Sequence, residues 1–434
     1  MMEEHVAFVV PPPLEGVVED NFDEQLKFLR ELVESPSFTE HPDDVEEASL
    51  LIDKEMKGLG FTRVLYPARC RASHRIYSSA ATHADDKALA LVGHVDTVYE
   101  KRWSEPWRYG PTLADDDELG MIYGPGVLDM KGGLSVIVFA LKALQAARPE
   151  VFGGLKVRFL MNTDEEKGSR TSRRMFEDSS TLMTGALVFE NGRDDDEIVI
   201  MRKGIAQFEI TAKVDLDEDG KPYPQHAGGK HREGSNALHA LMLAGHLVES
   251  MTDYGTELTF NVTIKPKVKI NSDMTRNVMP NEAALIVDCR YNSTVDLNRA
   301  LDLLRDRFAE MDLPGLKDMK AELIERVKRT KLSFELEPDG RPPMHNTPAN
   351  TELCERYSRH ARDCDLGSGP APLQGGGSDA NLLADMGVPV IDGLGPFGKG
   401  AHSVGPEKEW IDPESLKKRT KALARFLLEE AGIE

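Results

Sequence analysis

The stretch "LKVRFLMNTDEEKGS", Leu155 to Ser169, joins two segments of opposite character. Its first half, residues 155–161, is of strand length, mostly apolar apart from Lys156 and Arg158, and reads as a buried strand. Its second half sets Asp164, Glu165 and Glu166 side by side, with Lys167 as the only adjacent counter-charge. Three neighbouring carboxylates repel one another. A chain that leaves its core straight into them is making either a solvated acidic turn or a site that faces cations.

Working outward, the same kind of strand recurs. Lys87–Val92, residues 185–189 and Val388–Ile391 are short apolar runs. Residues 22–35, 43–57, Leu134–Ala146, 351–364 and 414–430 carry helical apolar spacing. Strands that are apolar throughout and alternate with helices predict an α/β fold, with a mostly parallel central sheet flanked by helices. From about Gly204 the pattern changes. Gln207–Val214 alternates apolar and polar, and is followed by a helix near 236–252, strands near 257–270 and 283–291, a helix near 296–311 and a last strand candidate at 319–336. Half-exposed strands beside helices predict a smaller α+β domain. The expected organisation is therefore a catalytic domain in two parts, 1–203 and 339–434, interrupted by an insert at 204–338.

The chain has 434 residues, 40% hydrophobic and 29% charged, and a net charge of −21. Such acidity argues against nucleic acid or an anionic membrane as partner. No run of about 18 apolar residues is present to span a membrane, and the N-terminus lacks the pattern of a signal peptide. Four cysteines with no Cys-x-x-Cys spacing argue against a structural zinc finger and for a reduced, cytoplasmic setting. Dinucleotide, phosphate-loop and serine-hydrolase fingerprints are absent.

The polar residues at the strand ends carry the chemistry. One strand runs into Gly93-His94-Val95-Asp96, the quoted stretch into Glu165 and Glu166, a third into Glu190, and the last toward His402. Between the first two lies the Gly-rich turn Gly124–Gly133, with Asp129 inside it. In open α/β sheets the ligand crevice lies beyond the carboxyl ends of the strands. Two imidazoles with several carboxylates suit zinc, cobalt and manganese being the alternatives, and two dications would balance the carboxylates of Asp129, Glu166 and Glu190 together with a bridging hydroxide. Each piece alone is ordinary: a His-x-Asp pair is usually structural, and a Glu-Glu pair is usually a solvated face. The weight lies in their joint appearance, in order, at strand ends.

These stretches resemble the di-zinc exopeptidase family of aminoacylases, glutamate carboxypeptidases and succinyl-diaminopimelate desuccinylases, most closely its glutamate carboxypeptidase branch. The likeness rests on "GHVDTV" (93–98), "YGPGVLDMKGG" (123–133), "NTDEEKGS" (162–169), "FENGR" (189–193), "QHAG" (225–228), "NVMPNEAALIVDCRY" (277–291), "GGGSDAN" (375–381) and "GAHSVGPEKEWI" (400–411). It implies that Asp129 bridges two zinc ions, that His94 and Glu190 complete one and Glu166 and His402 the other, that Glu165 is the general base and that Asp96 supports His94. It further implies a cis peptide after Asp129. The insert resembles the family's lid and dimerisation domain. There His226 would stabilise the oxyanion in the other subunit of a homodimer, while Arg290 and Asn277, with the backbone of Gly376 and Gly377, would grip a substrate carboxylate. Asn236 in "EGSNAL" follows at the branch's spacing. The loop 215–224, just before His226, is longer and more acidic than is usual in this branch, and Asp164 is expected to orient its turn. The expected activity is hydrolysis of an amide next to a free carboxylate, on a small peptide or N-acyl-amino acid. An N-acyl-amino-acid deacylase shares every metal ligand, and a non-catalytic binding protein on the same fold is the rival of a different class.

Overall fold

The computed structural model describes residues 13–100, 110–112, 120–221, 223–264, 277–403 and 409–432. The chain divides into two compact units, one made of residues 1–202 and 344–434, the other of 203–343.

In chain order the strands are β1 (Thr62–Tyr66), β2 (His74–Ser78), β3 (Ala88–His94), β4 (Gly110–Thr112), β5 (Met121–Tyr123), β6 (Val157–Asn162) and β7 (Met183–Val188). There follow β8 (Gly204–Val214), β9 (Thr259–Ile264), β10 (Glu282–Tyr291), β11 (Thr330–Leu336), β12 (Val390–Ile391), β13 (Gly398–Lys399) and β14 (Trp410–Ile411). The first unit holds a six-stranded sheet in the order β1-β2-β6-β3-β7-β12, in which only β2 runs against the rest. Successive residues of β3 feed opposite cores. Leu89 and Leu91 pack with the helices Phe22–Glu34, Gly132–Ala147 and Pro413–Glu430, whereas Ala90 and Val92 pack with Phe176, Leu382 and Leu383. Burial on both faces is why β3, β6 and β7 are mostly apolar rather than strictly alternating. A second, small sheet, β13-β14-β5-β4, lies in the same unit.

The insert carries the antiparallel sheet β11-β8-β10-β9. Phe208, Ile210 and Ala212 of β8 are buried against Leu241, Ala244 and Leu304 of the helices Ala237–Glu249 and Thr294–Ala309, while Gln207 on the other face is exposed. Asn236, which follows His226 at the branch's spacing, is the N-cap of its helix, its Oδ1 accepting from Leu238 N and His239 N.

The last strand candidate, 319–336, divides. Ala321–Lys328 is a helix and only Thr330–Leu336 a strand. Glu, Leu, Arg and Lys favour the helix in the first half, and its apolar residues fall at helical spacing. Part of the strand expected at 257–270 lies outside the described residues, as do the first twelve residues and position 222 of the acidic loop. The insert departs at Arg202 and returns at Met344, and these two residues exchange backbone hydrogen bonds of 3.0 and 2.9 Å.

Candidate active site

Because β6, β3, β7 and β12 are parallel neighbours, their carboxyl ends lie together, and the polar residues that follow each strand converge there. His94 is the last residue of β3. Glu165 and Glu166 sit in a one-turn 3-10 helix after β6, and Glu190 is the second residue past β7. Asp129 comes from the Gly-Pro-Gly turn that enters the helix Gly132–Ala147. That approach needs glycine at 133, since a Cβ there would stand 2.0 Å from the carbonyl oxygen of Phe189. The Asp129–Met130 peptide is cis.

Asp129 is at the centre. Its Oδ1 lies 3.1 Å from His94 Nε2 and its Oδ2 3.1 Å from His402 Nε2. His94 Nε2 is also 3.7 Å from Glu190 Oε1, and His402 Nε2 is 3.1 Å from Glu166 Oε2. Two groups result, His94–Asp129–Glu190 and Asp129–Glu166–His402, each with its ligand atoms within 4.8 Å of one another. His402 reaches the site from a left-handed backbone conformation, φ 62°.

Burial and mutual contact shift these groups in both directions. Burial, then the charge of Asp129, pushes the Glu166 carboxyl up to about 8 and that of Glu190 well above the usual carboxylate range. Hydrogen bonds to Asp129 and Glu166 push His402 up to about 11. Burial works against a charged His94, but hydrogen bonds to Asp129 and Asp96 outweigh it and raise its pKa. Burial would raise Asp129 too, yet its histidine partners hold it well below the ordinary value. Glu166 Oε1 is buried with no hydrogen-bond partner. Three carboxylates around two imidazoles, with one orphaned oxygen, form a donor set for cations. The fit is also geometric, since ligands about 2.0–2.2 Å from a shared tetrahedral ion lie about 3.4 Å apart.

His94 Nδ1 is 2.9 Å from the backbone oxygen of Asp96 and 3.5 Å from its Oδ1. A proton on Nδ1 satisfies that carbonyl and leaves Nε2 to face Asp129 and Glu190. Strand β3 ends at His94, so Asp96 is not presented by strand alternation. Its carboxylate instead accepts from Thr39 Oγ1 at 2.8 Å and from the backbone N–H groups of Glu165 and Glu166 at 3.2 and 3.3 Å. Asp96 thus ties His94 to the turn that carries both glutamates. Asp164 faces away from them. It accepts from Thr171 N, Thr171 Oγ1 and Ser172 Oγ at 2.6–2.8 Å and holds the turn shut.

The remaining expected residues fall in two places. Gly376 is in the first unit, its carbonyl accepting from Arg202 Nη1 at 3.0 Å, with Gly377 beside it. Arg202 in turn makes two 2.8 Å contacts with the buried Asp392. In the insert, backbone pairing brings His226 and Asn277 together through Ala227 N and the Asn277 carbonyl, 2.7 Å apart. His226 is exposed, and its Nδ1 accepts from Gly229 N at 2.8 Å. Arg290 grips Asp288 on the same face of β10 with Nε and Nη2, at 2.7 and 3.1 Å.

Thr39, Arg202 and Glu409 were not foreseen. Thr39 has no sequence signal. Arg202 is a cation next to the insert boundary, and Glu409 an acid directly before an apolar strand, seven residues after His402.

Comparison with known proteins agrees with this geometry. The model of peptidase family M20/M25/M40 matches residues 90–429. Carboxypeptidase G2 of Pseudomonas sp. (strain RS-16) is 29% identical over 93% of this chain and 88% of its own length. A succinyl-diaminopimelate desuccinylase of Hydrogenovibrio crunogenus is 26% identical over 91% and 96%. Among solved structures, the Bacillus subtilis YXEP protein, described as a dinuclear metal binding peptidase, superposes with a TM-score of 0.65 at 15% identity, covering 96% of this chain and 100% of that one. The family match spans most of the chain and includes every residue of both ligand groups, so this protein belongs to peptidase family M20/M25/M40 and is a metal-dependent amide hydrolase.

Proposed function

We propose that the protein is a two-metal exopeptidase of the glutamate carboxypeptidase type, cleaving an amide next to a free carboxylate and releasing a C-terminal amino acid. The observation that carries the reading is Asp129, which faces a histidine with each oxygen and belongs to both ligand groups. His94, Asp129 and Glu190 would hold one ion, and Asp129, Glu166 and His402 the other, zinc being favoured by the donor set. When bound, such ions acidify water toward neutral pH and polarise the scissile carbonyl.

The chain's own residues do the rest. Glu165 takes the proton of the attacking water and returns it to the leaving amine. Asp96 holds the backbone from which Glu165 projects and fixes the orientation of His94. Because Nδ1 of His226 accepts from Gly229, the ring proton sits on Nε2, where it can donate to a developing oxyanion. In this reading His226 serves the other subunit of a homodimer formed through the insert. In this reading Arg290 and Asn277 of the insert are candidates to receive the substrate carboxylate, which would share Arg290 with Asp288, and the N–H groups of Gly376 and Gly377 are the candidates of the first unit. A cytoplasmic setting belongs to the same reading and is supported by four free cysteines. Among the described residues no helix is long and apolar enough to cross a membrane.

The name of the Pseudomonas relative supports the carboxypeptidase reading. The desuccinylase relatives favour a second one, removal of an acyl group from an amino acid by the same site. A panel of dipeptides, folate-type glutamate conjugates and N-acyl-amino acids, assayed with zinc-loaded protein as free acids and as C-terminal amides, separates them. The expected result is hydrolysis of peptide or conjugate free acids, with kcat/KM about tenfold or more above the amides, the worth of one charge-assisted contact. Turnover of short N-acyl-amino acids alone would favour the second reading, and equal rates on amides would overturn the carboxylate requirement.

A further inference from the structure

Glu409 is a fully buried carboxylate that takes no part in the hydrolytic steps above. It precedes β14, and both its side chain and its main chain hold one turn. Oε2 accepts from Gly126 N at 2.9 Å, and Oε1 accepts from Leu128 N at 2.7 Å and from Asp129 N at 2.8 Å. Its own carbonyl accepts from Gly124 N at 3.2 Å. The hydroxyl of Tyr99 donates to the same carboxylate.

The turn needs such an acceptor. Gly126 is left-handed at φ 74°, and Asp129 and Met130 have non-helical angles inside the turn. A turn of this shape cannot satisfy its early N–H groups by the i→i−4 pattern of a helix. Burying a carboxylate is costly unless it is fully hydrogen-bonded, and here three of the bonds that offset that cost come from the segment carrying Asp129. The contact joins residues far apart in sequence and reaches the main chain of the one residue shared by both ligand groups.

We infer that Glu409 is a positioning residue that sets Asp129 in place before metal arrives, and so governs the affinity for both ions. This rests on the reading that Asp129 bridges two metals.

The test is a zinc titration of chelator-stripped wild type and Glu409→Gln against a chromophoric competitor, with stoichiometry by elemental analysis and folding by circular dichroism. Gln keeps the shape but turns N–H groups toward N–H donors. The expected result is two zinc ions per wild-type chain and, for folded Glu409→Gln, an affinity lower by about 10–100-fold, as for other residues that orient metal ligands. Unchanged affinity beside a lowered metal-free Tm would overturn the inference and leave Glu409 a purely structural group. Fewer than two zinc ions on the wild type would instead overturn the bridging reading, and the inference with it. If Glu409→Gln does not fold, Glu409→Asp keeps the charge but shortens its reach to the three N–H groups of the turn. A lower zinc affinity is expected there, and unchanged affinity overturns the inference.

Discussion

Asp129 stands between two histidines, Oδ1 3.1 Å from His94 Nε2 and Oδ2 3.1 Å from His402 Nε2. A side chain shared in this way has a distinctive deletion phenotype. Asp129→Ala is expected to lose both metals, whereas Glu190→Ala, which touches only the His94 group, is expected to retain one. Elemental analysis of dialysed protein reads this directly. Two ions retained on Asp129→Ala would contradict the shared role.

The adjacent glutamates are expected to fail differently. Glu166 lies 3.1 Å from His402, so Glu166→Ala is expected to lose metal. Glu165→Gln is expected to keep two ions and to lose about 10²–10⁴-fold in kcat, the usual worth of a general base. Metal-free Glu165→Gln protein would end the division of labour.

Metal-free protein is expected to lose stability as pH rises from about 5 to 8. The Glu166 carboxyl, ordinarily near 4.5, is raised to about 8, so its contribution is full below 4.5 and is lost as pH climbs through about 8. His402, raised from 6.5 to about 11, acts with the same sign, its contribution full below 6.5. Zinc replaces those protons, so the gap in Tm between zinc-loaded and stripped protein is expected to widen over this range. A gap independent of pH, measured by calorimetry, would count against the assignment.

Asp164 acts on the turn and not on the metals. Asp164→Asn replaces an acceptor with a donor facing Thr171 and Ser172, and is expected to destabilise zinc-loaded protein by about 2 kcal/mol with zinc affinity unchanged. Urea unfolding with a parallel zinc titration checks both halves.

Arg290 is already engaged by Asp288, which sets a competition. Arg290→Ala is expected to raise KM for free-acid substrates by about tenfold or more, the loss of one charge-assisted contact. Asp288→Asn, which removes the charge that competes for the guanidinium, is expected to lower KM. Initial-rate kinetics on free acids and amides decide it, and equal KM values across all three proteins would remove Arg290 from substrate binding.

Much of the catalytic unit was legible because its strands are buried on both faces. β3, β6 and β7 read as apolar runs, and the ligand residues follow where those runs stop. The strands β1 and β2 were not legible. β1 is largely exposed, and β2 buries His74 and Arg75 through specific partners, so neither carries an apolar run. Supporting contacts were hidden for a related reason. Thr39 reaching Asp96, or Glu409 reaching Asp129, depends on tertiary proximity across long sequence gaps, which periodicity does not encode. The engagement of Arg290 by Asp288 was readable in principle, because positions two apart on a strand share a face.

Arg202 and Met344 close on each other with a pair of backbone hydrogen bonds, and every residue of both ligand groups lies outside the segment they bracket. The catalytic unit is therefore sealed at the point where the chain leaves and re-enters it. In evolutionary terms the insert is a guest on a host that is already closed. Its loops can lengthen or change charge without altering the chain that carries the metal-ligand candidates, so the two parts of the sequence are free to vary at different rates.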